Sequence, residues 1–339
     1  MKSPQPLAAQ QWRQHAPAGA LATGARRLGR NPTLVALLLV VALFGLGQAL
    51  SPGFLSYGQV LNVLRIASFL GIVAAGQTLV VISGGEGIDL SVGAVMSLAA
   101  VMTAHITLAR DALLLQALAA VLVTGLALGA LNGVGIAYLR IPPLVMTLGM
   151  TGVVQGLTLV YTQGQPKGRA APLLNEIVVH PWVWGIPGIL FLWLAVAIGM
   201  TVLLSRTSFG RRLYAIGANR TAALLSGIHV PRMVVATYAL SGALAALAGY
   251  LFVGYTTTVF LDIGGDYVLR SVAAVVVGGT SLAGGAGSYT GSVVGAVVLT
   301  VLEAILTTLR MGEAGRQVVH GLVLVLLLAA YGRQRRLRQ

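Results

Sequence analysis

The chain has 339 residues, a formal net charge of +14 and a mean hydropathy of +0.87, with 57% of residues apolar and 9% charged. Such a composition excludes an ordinary soluble domain and points to a bilayer. Cysteine is absent, so disulfides, thiolate nucleophiles and cysteine metal sites are excluded as well.

Residues 1–30 read as a disordered basic cytoplasmic tail, with a surface helix on anionic lipid as the alternative. The small-residue segment "APAGALATGA" precedes the first apolar run, whereas a signal-peptide cleavage site would follow it. A helix needs roughly 20 apolar residues to cross a ~30 Å hydrocarbon core. Stretches of that kind predict ten spans, at 33–50, 61–83, 89–109, 113–138, 142–161, 186–204, 232–256, 268–286, 289–309 and 317–331. The expected fold is therefore an all-α polytopic membrane protein of about ten transmembrane helices. Residues 31–332 form its transmembrane domain, and 333–339 a second basic cytoplasmic tail.

Charge agrees with that count. Arginines 13, 26, 27 and 30 precede the first span, those at 206, 211, 212, 220 and 232 bracket one loop, and those at 333, 335, 336 and 338 end the chain. With a cytoplasmic N-terminus, ten crossings put all three clusters on the cytoplasmic side, as the positive-inside rule requires. The basic balance is thus an orientation signal and does not point to nucleic acid.

Between the second and third spans, "GGEGIDLSVGAV" sets Gly84, Gly85 and Gly87 before Asp89 and Ser91. Asp89 stands where a helix restarts, so its carboxylate can accept N–H bonds from the first turn. Irregular backbone at membrane depth survives only when buried in protein or facing water. Asp89 is accordingly a buried cap, a polar lining for a polar solute, or both. A second break, "GGTSLAGGAGSYTGSVVGAV", carries Gly278, Gly279 and Ser281 after the eighth span. Paired interruptions point to an internal repeat and a transport pathway, although Gly and Ala also serve ordinary helix contacts. Gln77, Asn132 and Gln155 are polar groups within spans, suited to interhelical bonds or sugar hydroxyls.

Two loops are long enough to do work. "YTQGQPKGRAAPLLNEIVVHPWVWGIPG" is external by the charge rule. Its Trp182 and Trp184, with Trp193, suit an interfacial belt, and docking of an external partner is the alternative. "SRTSFGRRLYAIGANRTAALLSGIHVPR" is cytoplasmic. In it Asn219 can cap a short helix from Arg220, and Gly227 can end it in a left-handed turn. So short a helix needs packing, either on its own spans or in a cleft of a cytoplasmic partner.

No catalytic or metal-binding constellation emerges. Lys2 and Lys167 lie outside any phosphate-binding glycine loop, so an ATP-driven process would need its ATPase on another chain. The five histidines lack ligand spacing, and Ser281 is not in a nucleophile elbow. Glu303, in "TVLEAILTTLR", is either a proton relay or a group paired across helices.

Four ordered motifs together resemble the membrane subunits of ribose-type ABC importers: "GIDLSVGAVMSLAA", "LNGVGIAYLRIPPLVMTLGM", "FGRRLYAIGANRTAALLSGI" and "VVVGGTSLAGGAGS". The likeness runs from about residue 61 to 331. It implies an inner-membrane permease for a monosaccharide or small polyol, paired with a second copy or homologue. It further implies separate ATP-binding cassettes that hold the ATP and Mg, and a periplasmic binding protein. Nucleosides and a furanose-like signalling molecule are alternative cargo, and a proton-coupled carrier is the rival mechanism. In the family's coupling region stand Gly210, Arg211, Arg212, Asn219, Ala222, Ala223 and Gly227, with Thr221 where the "EAA…G" motif has Glu. Glu86–Gly87 also lengthens the shorter "GGIDLSVG" form.

Overall fold

The computed structural model describes residues 32–336, so the N-terminal tail and the last three residues lie outside the description. The described chain is helical apart from one small hairpin. In order it runs α1 Pro32–Leu50, α2 Tyr57–Ile82, α3 Val92–Thr107, α4 Leu114–Ala137, α5 Pro143–Thr162, α6 Pro172–Val179 and hairpin strands β1 Pro181–Val183 and β2 Ile186–Pro187. It continues α7 Gly188–Arg206, α8 Ser208–Ala218, α9 Arg220–Leu225, α10 Val230–Thr256, α11 Tyr267–Val277, α12 Tyr289–Thr308 and α13 Glu313–Arg336. The expected second tail is therefore helical through residue 336.

Seven of the described helices are long and apolar enough to cross a membrane, and α3 and α11 are shorter apolar helices. At 1.5 Å per residue, α3 rises about 24 Å and α11 about 17 Å, each short of a bilayer core. Both adjoin a glycine-rich break. The expected third span, 89–109, shrinks because helical geometry begins only at Val92, and Leu108 and Ala109 turn left-handed beyond Thr107. The expected eighth span, 268–286, stops at Val277, since Gly279, Gly284 and Gly285 adopt φ of +89°, +88° and +70° and cannot continue a helix.

The core is built around α10, which lies along α2, α3 and α4. Its contact with α4 is backbone to backbone. A Cβ at Gly129 would fall 2.1 Å from Tyr238 O, and one at Gly242 2.1 Å from Gly125 O. Small residues permit such close approach where water supplies no drive for helix association. By contrast α1 is apolar on every side and buries only Ala36 and Gly47, as suits a helix facing lipid.

Trp193 departs from expectation. It is 7% exposed, inside the bundle, where its Nε1–H donates to Tyr289 Oη at 3.1 Å. Tyr289 in turn donates to Gly71 O at 2.8 Å, which joins α7, α12 and α2. Trp182 and Trp184 do lie on the surface, Trp184 being 86% exposed at the hairpin tip. The loop between α5 and α7 also contains α6, which the sequence reading missed. Its signal was Pro172 at the first turn and the spacing of Leu174 and Val178, the two residues it buries.

Candidate functional site

The first break, residues 83–91, is irregular but fully sewn in. Asp89 is 1% exposed, and its Oδ1 accepts from Ser91 N at 3.0 Å and Ser91 Oγ at 2.6 Å. Oδ2 accepts from Ser241 Oγ of α10 at 2.8 Å. The Gln77 amide, turned to match its partners, donates to Asp89 O and accepts from Asp89 N at 3.2 Å each. Asn132 of α4 donates to Ser91 Oγ at 2.9 Å. On the other side α5 contributes Thr147, which donates to Ile88 O, and Thr151, which donates to Leu90 O.

Four helices thus hold one unwound segment, and a buried carboxylate meets three donors, which is what makes its burial affordable. The expectation for Asp89 needs correction in one respect: it receives a single backbone N–H, ahead of the helix, and the first turn of α3 gets no side-chain cap. Gln77, Asp89, Ser91 and Asn132 form one closed, buried group. Gln155 is elsewhere, on the exposed face of α5 with Gly149, Gly152 and Gly156, and is not part of that group.

The second break, residues 278–288, descends from α11 and comes back to α12. Ser281 shapes its turn, accepting from Gly284 N at its carbonyl and from Ala283 N at its hydroxyl. Gly278 packs directly on Gly291 at the start of α12, while Gly279 faces Pro32 of α1.

The two breaks meet, and they do so on the arginine-rich loop. Gly285 N donates to Ile82 O at 2.9 Å, which bonds the second break to the end of α2. Into this contact comes Gly217 of α8. A Cβ there would lie 1.9 Å from Ile82 O and 2.4 Å from Gly285 N. One at Gly284 would lie 2.4 Å from Gly84 Cα. Three backbones therefore cross at a point where no side chain fits. Tyr214 of α8 adds a bond to Gly287 O at 2.7 Å.

Below this junction α8 and α9 present the loop's outer face. Thr207 caps α8 through Gly210 N, and Asn219 caps α9 through Ala222 N at 3.0 Å. Gly227, at φ +79°, lets the chain turn away after α9, as expected. Gly210 has a packing role, because a Cβ there would meet Leu204 O at 2.2 Å. Ala223 points inward and is 4% exposed, whereas Leu224 and Leu225 are 59% and 83% exposed. Arg211, Arg212 and Ala222 are exposed beside them. Gly85 and Glu86 reach the same surface, with Gly85 close to the Arg220 guanidinium.

Glu303 of α12 is paired. Its carboxylate lies 3.3 Å from Arg316 Nε and bonds His320, both on α13. Among the described residues no group of His, Cys, Asp and Glu could hold a metal ion.

Comparison with known proteins adds the following. A family model described as "Branched-chain amino acid transport system / permease component" matches residues 59–328. The chain is 35% identical over 304 residues to the ribose import permease protein RbsC of Escherichia coli (strain K12), covering 88% of this chain and 92% of that one. It is 36% identical to the ribose import permease protein RbsC of Bacillus subtilis (strain 168), with 89% and 91% covered. It is 35% identical to the autoinducer 2 import system permease protein LsrC of Shigella flexneri, with 90% and 88% covered. No solved structure matches significantly.

Proposed function

Since the chain belongs to the branched-chain amino acid transport system permease family, we propose that it is the membrane-spanning subunit of an ATP-binding-cassette importer for a monosaccharide or small polyol. The relatives named as ribose permeases support that cargo. Its place would be the bacterial inner membrane, with both termini cytoplasmic. It would work with a second permease copy or homologue, separate ATPase subunits and a periplasmic binding protein.

One observation carries the mechanism: α8 and α9 expose Leu224 and Leu225 while Gly217 touches both breaks in the bundle. An ATPase that closes on the α9 face moves a backbone already in contact with Ile82 and Gly285. Work done outside then reaches α2, α3, α11 and α12 without an intermediate lever, and the permease pair switches from outward to inward opening. Such coupling requires that the ATPase contact α9 differently in its two states.

The likeness to LsrC favours a second cargo reading, a furanose-like signalling molecule. A single experiment tests both. The chain is purified with the products of its neighbouring genes, and ATP hydrolysis is recorded in nanodiscs with each binding protein and a solute panel. Stimulation by one liganded binding protein identifies the cargo. If no ATPase copurifies and the chain alone moves solute along a proton gradient, the proposal is wrong.

A further inference from the structure

At the end of the bundle away from α8 and α9, between α11, α12 and α13, is a cavity of about 380 Å³, within the span of roughly 300–1,000 Å³ usual for small-molecule sites. One wall is formed by Glu303, Glu313 and His320, held from behind by Arg316, which pairs with both glutamates and donates to Thr307 Oγ1. These groups pair in charge with one another. On the opposite lining the side chains of Asp266, Arg270 and Gln317 make no hydrogen bond to any described residue; Asp266 and Gln317 open to solvent, and Arg270 Nε, like Arg316 Nε, is shielded from it without a hydrogen-bond partner. Leu269 and Leu299 supply the apolar part.

An acceptor, a planar donor and an amide that is both, set unpaired around a space, match a ligand whose groups each donate and accept. Hydroxyls do so. Of the lining's acids, Glu303 is paired with His320 and with Arg316 behind the lining, and Glu313 with Arg316; that leaves Asp266 against Arg270, so neither an anion nor a cation is favoured. The apolar residues suit a ligand with a C–H face.

We propose that this cavity is a binding site for a neutral polyhydroxylated solute of monosaccharide size, held within one permease chain. The proposal rests on the importer reading above and deepens it. The site would take solute at the end opposite the ATPase face. Asp266 and Gln317 accept from its hydroxyls, and Arg270 donates to them.

The test uses the full chain in nanodiscs, with no ATPase and no binding protein, and saturation-transfer-difference NMR with D-ribose, D-xylose, ribitol and, as charged controls, D-gluconate and D-glucosamine. Expected is saturable contact with at least one neutral solute, weakened at least tenfold in Arg270→Gln and in Asp266→Asn. Leu269→Trp, which fills the space and leaves the charges alone, should abolish it. Absence of saturable contact overturns the proposal, as does undiminished binding in all three variants or a preference for either charged control. Solute-stimulated ATP hydrolysis by the full complex separates the two readings: if it persists while the chain alone binds nothing, the cavity assignment falls and the importer reading stands.

Discussion

Replacing Gly217 by alanine places a Cβ at the crossing of three backbones, 1.9 Å from Ile82 O and 2.4 Å from Gly285 N. Ordinary contact of carbon with a carbonyl oxygen needs more than 3 Å, so the second break must separate from α2 by over 1 Å or α8 must lift away. Neither neighbour is the flexible end of a side chain. Overpacking of this type costs about 1–3 kcal/mol, which for a chain of this size lowers the melting midpoint by roughly 2–6 °C. The natural control is Gly199→Ala in α7, where the new methyl meets nothing within 4 Å; it should be neutral or stabilising by up to about 1 kcal/mol. Melting in detergent and solute moved per ATP in proteoliposomes are read together. Gly217→Ala should melt earlier and lower that ratio, with the control unchanged in both. A Gly217→Ala variant equal to wild type in melting and in transport per ATP would refute transmission through the junction.

Leu225, 83% exposed, should be replaceable by serine with a stability change within about 0.5 kcal/mol. If it seats in the ATPase, losing a buried leucine worth roughly 2 kcal/mol should weaken ATPase retention in pull-downs at least tenfold. A charge at Ala223, by contrast, would disturb the packing of α9 itself, because that residue faces inward. Ser241→Ala removes the partner of Asp89 Oδ2 and should cost about 1.5–3 kcal/mol by thermal melting. Ser205→Ala, at an exposed site, should stay within about 0.5 kcal/mol. Glu303→Gln should leave vesicles holding this chain alone as inactive toward a pH gradient as wild type. Gradient-driven uptake by wild type that the variant loses would restore the proton-carrier mechanism.

What was legible in the sequence follows from where the signal is local. Hydropathy located the seven long spans because each is a continuous apolar run, and Asn219 and Gly227 marked the ends of α9 because caps act within a few residues. The two breaks were visible as glycine clusters. Their meeting was not, since it joins residues 82 and 285 through a single bond that no periodicity encodes. Ser241 likewise gave no sign, being one hydroxyl among the small residues of α10. Thr147 and Thr151 were readable in principle, as threonines one turn apart on the buried side of α5. Trp193 misled because a tryptophan near a span end usually sits at the membrane interface, and here a glycine at 71 opens space for its indole inside.

The second break has a temporal consequence. Its amides are occupied from Gly278 through Thr280, where they close the end of α11, and again at Ser281, Gly284 and Gly285, where they bond within the turn and to α2. Backbone of this kind exchanges hydrogen only when neighbouring helices part, so its clock is that of the bundle and not that of a surface loop. In deuterium, therefore, Gly285 should label as slowly as the helix end it is bonded to, and its labelling rate would count the openings of the bundle at that end.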